Sequence, residues 1–253
     1  MATVSKSEVE RWRDMLLDKH ARKTVRDKIS TIRTIVEWGQ KQSDGKLFEK
    51  RFPLDTLDLP IVEKVDSSAK TYTLEQARKI LTDARNQNET HKRWIPWIIA
   101  YSGARIEEVM QLEKDDFFDY EGHWFYHIRV GNGRTTKTGD DRKVPVHSAL
   151  IDEGLIDFVT SLPDGKLFTA TRAAQNVRDW IREDVLAEYP TPRPAPNHGF
   201  RHLFEDLRRA RLDQEAANYI TGRANPGSAA IYGNSNVMLP ALAQQMEKIE
   251  RIL

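Results

Sequence analysis

The sequence predicts a mainly α-helical protein with a small antiparallel β-sheet, and three observations predict it. Residues 7–42 place apolar side chains at spacings of three and four, the period of a helix with one buried face. The stretch "HWFYHIRV" (His123 to Val130) is aromatic and β-branched, as strands are. Two turn signals follow it, Gly131-Asn132-Gly133 and Gly139-Asp140-Asp141, and then Val144-Pro145-Val146, so this region reads as a meander of antiparallel strands.

The elements follow in order. In residues 7–42, Val9, Trp12, Leu16 and Leu17 form one apolar stripe, and Val25, Ile29, Ile32, Ile35 and Val36 form another. "FPLDTLDLPIVEKVDSS" (Phe52 to Ser68) carries two prolines and little periodicity, which predicts a linker between a first domain, 1–65, and a second, 66–253. Thr73 and Gln76 form a capping box, each side chain serving the other's backbone donor, and open the larger unit. A helix to about Arg85 is followed by another through "RWIPWIIAY". "SGARIEEVMQL" is a glycine-containing turn into a short helix with Arg105 in its first turn. After the strands come helices around Leu150 to Leu162 and Ala174 to Leu186. "YPTPRPAP" (Tyr189 to Pro196) forces an extended approach to "NHGFRHLFEDLRRARL", a helix entered at about His198. Asp213 is placed to cap the helix "QEAANYITG". "NPGSAAIYGN" leads to Tyr232, and a last helix is expected from about Leu239 to the end. Its stripe of Leu239, Leu242, Met246, Ile249 and Leu253 suits either docking on a neighbouring subunit or packing on its own domain.

Composition narrows the function. Charged residues make up 30% and hydrophobic ones 39%, a soluble globular balance. No apolar run is long enough to span a bilayer and no signal-peptide pattern opens the chain, so the expectation is a cytoplasmic protein without a membrane partner. The absence of Cys excludes disulfides and thiolate metal sites. The net charge of +1 argues against indiscriminate binding of nucleic acid, but the charge is unevenly distributed. Lys19, Arg22, Lys23, Arg26, Lys28 and Arg33 are opposed by Asp27 alone. Arg201, Arg208, Arg209 and Arg211 form a second cluster, with His198 and His202 beside it. One such cluster is ordinarily a solvated helix face; two on separate segments point to a polyanion.

Nucleotide and metal chemistry fit poorly. "GNGRTTKTG" (Gly131 to Gly139) comes within one residue of a phosphate-cradling loop, but Thr136 stands where the second glycine belongs. Pro145 also denies it the helix such a loop must open. His198 and His202 sit four apart, a spacing that can hold zinc, but no Cys and no acidic partner in a recognisable motif completes the set. The expectation is neither metal nor cofactor.

Arg105, Lys137, His198, Arg201, Arg223 and Tyr232 remain to be weighed together. "SGARIEEVMQL", "TTKTGDDRKVPVH", "HGFRH" and "YITGRANPGSAAIYG" stand in the order of four motifs of the tyrosine recombinase, or phage integrase, family, which the chain resembles. They match its first arginine motif, its β-hairpin lysine segment, its His-x-x-Arg motif and the stretch ending in its nucleophilic tyrosine. The resemblance covers roughly residues 70–253 as a catalytic domain, and 1 to about 65 resembles the family's helical DNA-clamping domain. That region is short beside the usual clamp, which predicts a truncated or abbreviated one, and no additional arm-binding domain is visible. Arg223 departs from the pattern, standing where the family usually carries His or Trp.

The resemblance implies site-specific cleavage and rejoining of DNA through a 3′-phosphotyrosyl intermediate. The implied partner is double-stranded DNA, bound as a homotetramer on synapsed sites, with a monomer or weak oligomer in its absence. Elementary chemistry agrees. Breaking a phosphodiester without metal needs donors that neutralise charge on the non-bridging oxygens as it builds, and the planar, permanently charged arginine fork suits that task. Arg105 and Arg201 would form the clamp, Tyr232 the nucleophile, and Lys137 the acid for the departing 5′ oxygen; His198 would be proton acceptor or phosphate donor. Lys19, Arg22, Lys23, Arg26 and Lys28 would contact DNA phosphates. Arg105 could instead simply pair with Glu108, and Tyr232 could be a core ring. Two alternatives share the residues: a type IB topoisomerase-like enzyme, and a catalytically silent DNA-binding protein on the same fold.

Overall fold

A capping box starts the chain's first helix, as Ser5 and Glu8 exchange bonds: the Glu8 amide donates to Ser5 Oγ (3.3 Å) and the Ser5 amide to Glu8 Oε2 (2.8 Å). The computed structural model describes residues 4–43, 48, 53–62, 70–136, 139–190, 194–223 and 236–253. The chain divides into two compact units, Met1–Val65 and Asp66–Leu253.

In the first unit, α1 (Lys6–Lys19) and α2 (Arg22–Gln42) are separate helices. The stretch read as helical over 7–42 breaks at His20, which is extended, and at Ala21 (φ −58°, ψ 144°), the N-cap of α2. Their apolar faces meet in a core of Val9, Val25, Ile29, Val36, Leu54 and Leu57, flanked by Trp12, Leu16, Leu17 and Ile32. Ile35, expected in the stripe, is exposed instead, because Val36 and Ile32 already fill the inward arc of the helix. The expected linker is corrected in its first third: Pro53–Thr56 forms a 3₁₀ turn that drives Leu54 and Leu57 into this core. Arg33 fastens that turn, donating through Nε to the Leu54 carbonyl (2.8 Å) and through Nη2 to that of Leu57 (2.5 Å).

In the second unit the capping box expected at Thr73 forms: its hydroxyl accepts from the Gln76 amide (3.1 Å) at the head of α3 (Leu74–Arg85). Next comes α4 (Thr90–Ala100), buried over most of its length, and then the short α5 (Ile106–Met110). Three antiparallel strands follow in the order β1 (Phe117–Tyr120), β2 (His123–Ile128) and β3 (Arg142–Pro145). The register sets Phe118 opposite Phe125 and Tyr126 opposite Val144. Left-handed Gly154 (φ 91°) splits the helix expected over Leu150 to Leu162 into α6 (Ser148–Asp152) and α7 (Leu155–Ser161). α8 (Ala173–Trp180) runs on through a π turn to Val185. α9 (Pro196–Arg209) begins two residues before His198, because proline's missing N–H costs nothing in a first turn. Asp213 caps α10 (Gln214–Thr221), accepting from the Ala216 amide (2.9 Å).

The final helix, α11 (Leu239–Met246), stops short of the terminus. Beyond it, side chains take over the backbone bonds that a helix would have made. Ile252 donates its amide to Tyr101 Oη (2.8 Å), and Arg78 Nε donates to the Ile252 carbonyl (2.8 Å). Leu239, Leu242, Met246 and Ile249 are buried in the unit's own cores, whereas Leu253, the last residue of the expected stripe, is exposed.

Candidate active site

The site is built where α5, α9, α10 and β3 meet. The turn into α5 passes through left-handed Gly103 (φ 61°), where an added Cβ would stand 2.7 Å from the Phe204 ring of α9. Only glycine allows that approach. Two residues on, Arg105 is the N-cap of α5, one position before the first turn in which it was expected. Its amide donates to Glu108 Oε2 (2.9 Å) and its Nη1 to Glu108 Oε1 (3.0 Å). The local pairing considered for Arg105 therefore exists, but it is only half of Glu108's role. Arg142 of β3 reaches the same buried carboxylate through Nη2 (2.5 Å) and Nη1 (3.3 Å). Burial pushes the Glu108 carboxyl up, but the Arg142 hydrogen bond and charge, with Arg105's, hold it below its ordinary value. Glu108 is thus an ionised hub between two guanidinium groups.

Arg201 enters from α9, buried, and donates through Nη1 to the Gly103 carbonyl. Burial, followed by the repulsion of Arg105, pushes its guanidinium down to about 10. It stays charged at neutral pH, in a place that would gain from an anion. His198 lies one turn before Arg201 on the same helix and is exposed. Beneath that turn, an added Cβ at Gly199 would lie 2.5 Å from the Tyr72 ring, and Tyr72 Oη donates to the Pro196 carbonyl (3.2 Å).

Arg223 is set by the end of α10. Arg142 Nε donates to the Ile220 carbonyl (3.1 Å), and left-handed Gly222 (φ 61°) lets the chain pass so close that a Cβ there would meet Arg142 Nη1 at 2.7 Å. Arg223 follows at once, its side chain 46% exposed, with Nε donating to Glu205 Oε1 of α9 at 2.7 Å. Glu205 is itself buried, and its other oxygen accepts from Arg208 Nε (2.7 Å) and Nη2 (2.6 Å).

Lys137 and Tyr232 lie outside the described residues, but the chain on either side of each is anchored. Before Lys137, the Gln111 side chain at the end of α5 grips both backbone groups of Thr135: its Oε1 accepts from the amide (2.7 Å) and its Nε2 donates to the carbonyl (3.1 Å). After it, the Gly139 amide donates to Thr136 Oγ1 (3.0 Å). Around Tyr232, Arg223 is held by Glu205, while Lys143 Nζ donates to Asn236 Oδ1 (2.5 Å).

Arg105, Arg201, His198 and Arg223 are therefore linked through α9 and its neighbours. Lys19, Arg22, Lys23, Arg26 and Lys28 belong to the other unit, at the end of α1 and along the first half of α2, and all are exposed. Lys23 pairs with Asp27 (2.6 Å); among the described residues, no ion pair is formed by Lys19, Arg22, Arg26 or Lys28. The second basic cluster is different in kind. Arg208 is committed to Glu205, and Arg211 to Glu250 (2.7 Å), so much of its charge is neutralised internally.

Sequence reading missed Arg142, Glu205 and Gln111. Glu205 carried a faint local signal, three residues before Arg208 on one helix face. Its bond to Arg223 spans 18 positions and has none. Among the described residues, no group of three or more His, Asp or Glu side chains is placed to hold a metal, and no helix is long and apolar enough to cross a membrane.

No family model and no curated protein sequence matches the chain. Solved structures do match it. The integrase from mycobacterium phage Brujita aligns over 98% of this chain and 78% of its own, at 14% identity and a TM-score of 0.52. The XerH site-specific recombinase bound to difH substrate aligns over 94% of this chain and 69% of its own, at 16% identity and a TM-score of 0.63. The Tn1549 transposon integrase in complex with circular intermediate DNA aligns over 95% and 84%, at 19% identity and a TM-score of 0.63. At such identities the likeness is one of fold, and the fold is that of tyrosine recombinases and phage integrases.

Proposed function

We propose that the chain is a site-specific DNA recombinase that cuts and rejoins strands through a covalent bond between Tyr232 and a 3′ phosphate. The observation that carries this reading is buried Arg201, bonded to the Gly103 carbonyl two residues before Arg105 and repelled by the charge of Arg105, in a fold shared with recombinases solved on DNA. A scissile phosphate would relieve that repulsion and gain most as charge builds on its non-bridging oxygens.

In the proposed step, Tyr232 Oη attacks phosphorus and the bond to the 5′ oxygen breaks. The phenolic proton passes to His198, and Lys137 gives a proton to the leaving oxygen. Bond energy is conserved in the phosphotyrosine, so rejoining needs no nucleotide. The first unit is the proposed clamp, with Lys19, Arg22, Lys23, Arg26 and Lys28 on phosphates, and the working assembly a tetramer on paired sites.

The test is covalent trapping on a nicked suicide substrate. The unaltered chain should form a denaturant-resistant adduct, and Tyr232→Phe should abolish it while leaving DNA affinity within about 2-fold, since one hydroxyl contributes little to a phosphate-dominated interface. An adduct that persists in Tyr232→Phe removes the tyrosine assignment. Tight DNA binding with no adduct from the unaltered chain makes it a silent binder.

A further inference from the structure

We propose that Glu205 is a positioning residue matched to Arg223: its carboxylate aims the guanidinium at the site, so that the two act as one unit. The inference rests on the proposed function, because it concerns how Arg223 reaches a phosphate.

The geometry is specific. Glu205 is 3% exposed on α9, four residues after Arg201 and therefore on the same face of the helix. Its two oxygens are divided between two arginines, Oε2 taking Arg208 and Oε1 taking Arg223. The partners differ in their surroundings: Arg208 is as buried as Glu205, whereas the Arg223 side chain is 46% exposed. The Arg208 pair thus anchors the carboxylate inside the fold, and the Arg223 pair carries that fixed point out to the surface. The bond uses Arg223 Nε, at the root of the fork, rather than a terminal nitrogen, so the Nη groups lie beyond the contact. An arginine held this way keeps donors at its tip while losing most of its rotational freedom, which lowers the entropy cost of engaging a ligand. The negative charge also offsets the crowding of guanidinium groups, since Arg201 feels Glu205 as a stabilising neighbour.

Histidine or tryptophan at position 223 would not reproduce this arrangement. A neutral imidazole or an indole on a shorter stem would leave a buried carboxylate oxygen short of its cationic donor, which is costly. Arginine at 223 and glutamate at 205 are therefore mutually dependent: changing one without the other harms the site.

The experiment is a double-mutant cycle read as the rate of adduct formation on suicide DNA, with the full chain. Glu205→Gln should slow the reaction at least about 10-fold when Arg223 is present, and by less than about 2-fold in an Arg223→Ala background, because its effect passes through Arg223. Glu205→Asp keeps the charge beside Arg208 but withdraws it by a methylene. It should fall between wild type and Glu205→Gln, and it decides the matter if Glu205→Gln does not fold. DNA affinity should be the same for Glu205→Asp and wild type, and its rate loss, unlike any fall in melting temperature, should vanish in the Arg223→Ala background, which a purely structural role would not allow. An equal loss in both Arg223 backgrounds overturns the pairing and leaves the proposed enzyme intact. Absence of any adduct from the unaltered chain overturns the enzyme, and this inference with it.

Discussion

Gly199 shows how tightly the site is specified at the scale of one residue. It stands between His198 and Phe200, two residues before Arg201, and the buried Tyr72 ring occupies the space where its side chain would be. A methyl there would meet ring carbons at 2.5 to 2.7 Å, and a ring fixed by its own bond to Pro196 has no room to retreat. Gly199→Ala should therefore cost about 1–3 kcal/mol, the usual penalty of overpacking. It would be read as a lower urea midpoint at unchanged m-value, and an unchanged midpoint would mean the turn can shift. The sequence singled out arginines, a histidine and a tyrosine in order as candidates, but not the side chains that hold the arginines in place. Glu108 could be paired with Arg105 from the sequence because the two are three apart, but Arg142 meets Glu108 across 34 positions and Glu205 meets Arg223 across 18. No local pattern encodes a contact of that separation.

Individual elements were legible where their signals are local. The Thr73 capping box and the Asp213 cap both form, because each needs only a side chain and the amide three residues away. The break at His20 and Ala21 contains neither glycine nor proline and gave no warning, and a 3₁₀ turn such as Pro53–Thr56 has too few residues to show a period. The α2 helix yields the prediction that belongs to this scale. Its inward arc is spent on the first unit's core, and Arg22, Arg26 and Lys28 project from the remainder, exposed. If this face lies on DNA, each arginine displaces about one counterion, so Arg22→Ala with Arg26→Ala should flatten the slope of log affinity against log salt by about two units. A slope that does not change would make this face a solvated surface.

At the scale of the whole molecule, burial of histidine sets the response to acid. His91, His127 and His202 all have values below the ordinary one. Burial is the first cause in each; the charge of Arg129 adds to it at His127, and His198 and Lys70 add to it at His202. Each group is protonated more readily in the unfolded chain than in the folded one. Stability is then fully present above the unfolded value of about 6.5 and is lost as pH falls through it towards the lower folded values. Urea unfolding at pH 7.5, 6.5 and 5.5 should show a declining free energy, and His91→Gln should reduce the decline. A flat profile would show that these side chains titrate alike in both states. The fold itself was legible as a class because helices announce themselves by period and the small sheet by its aromatic run and glycines. What the sequence conceals is that the terminal seven residues, though not helical, are drawn in by Tyr101, Arg78 and His147.

The brevity of α5 has one more consequence. Arg105 opens it, Glu108 sits in its middle and Gln111 closes it, so one turn and a half of helix sets the distance between the arginine and the grip on Thr135. A single residue inserted after Glu108 would swing the Gln111 carboxamide by about 100° and advance it by about 1.5 Å. The segment can thus absorb changes of residue far better than changes of length. Among related chains, a gap falling between these two positions would separate Arg105 from the grip on Thr135, whatever the letters on either side.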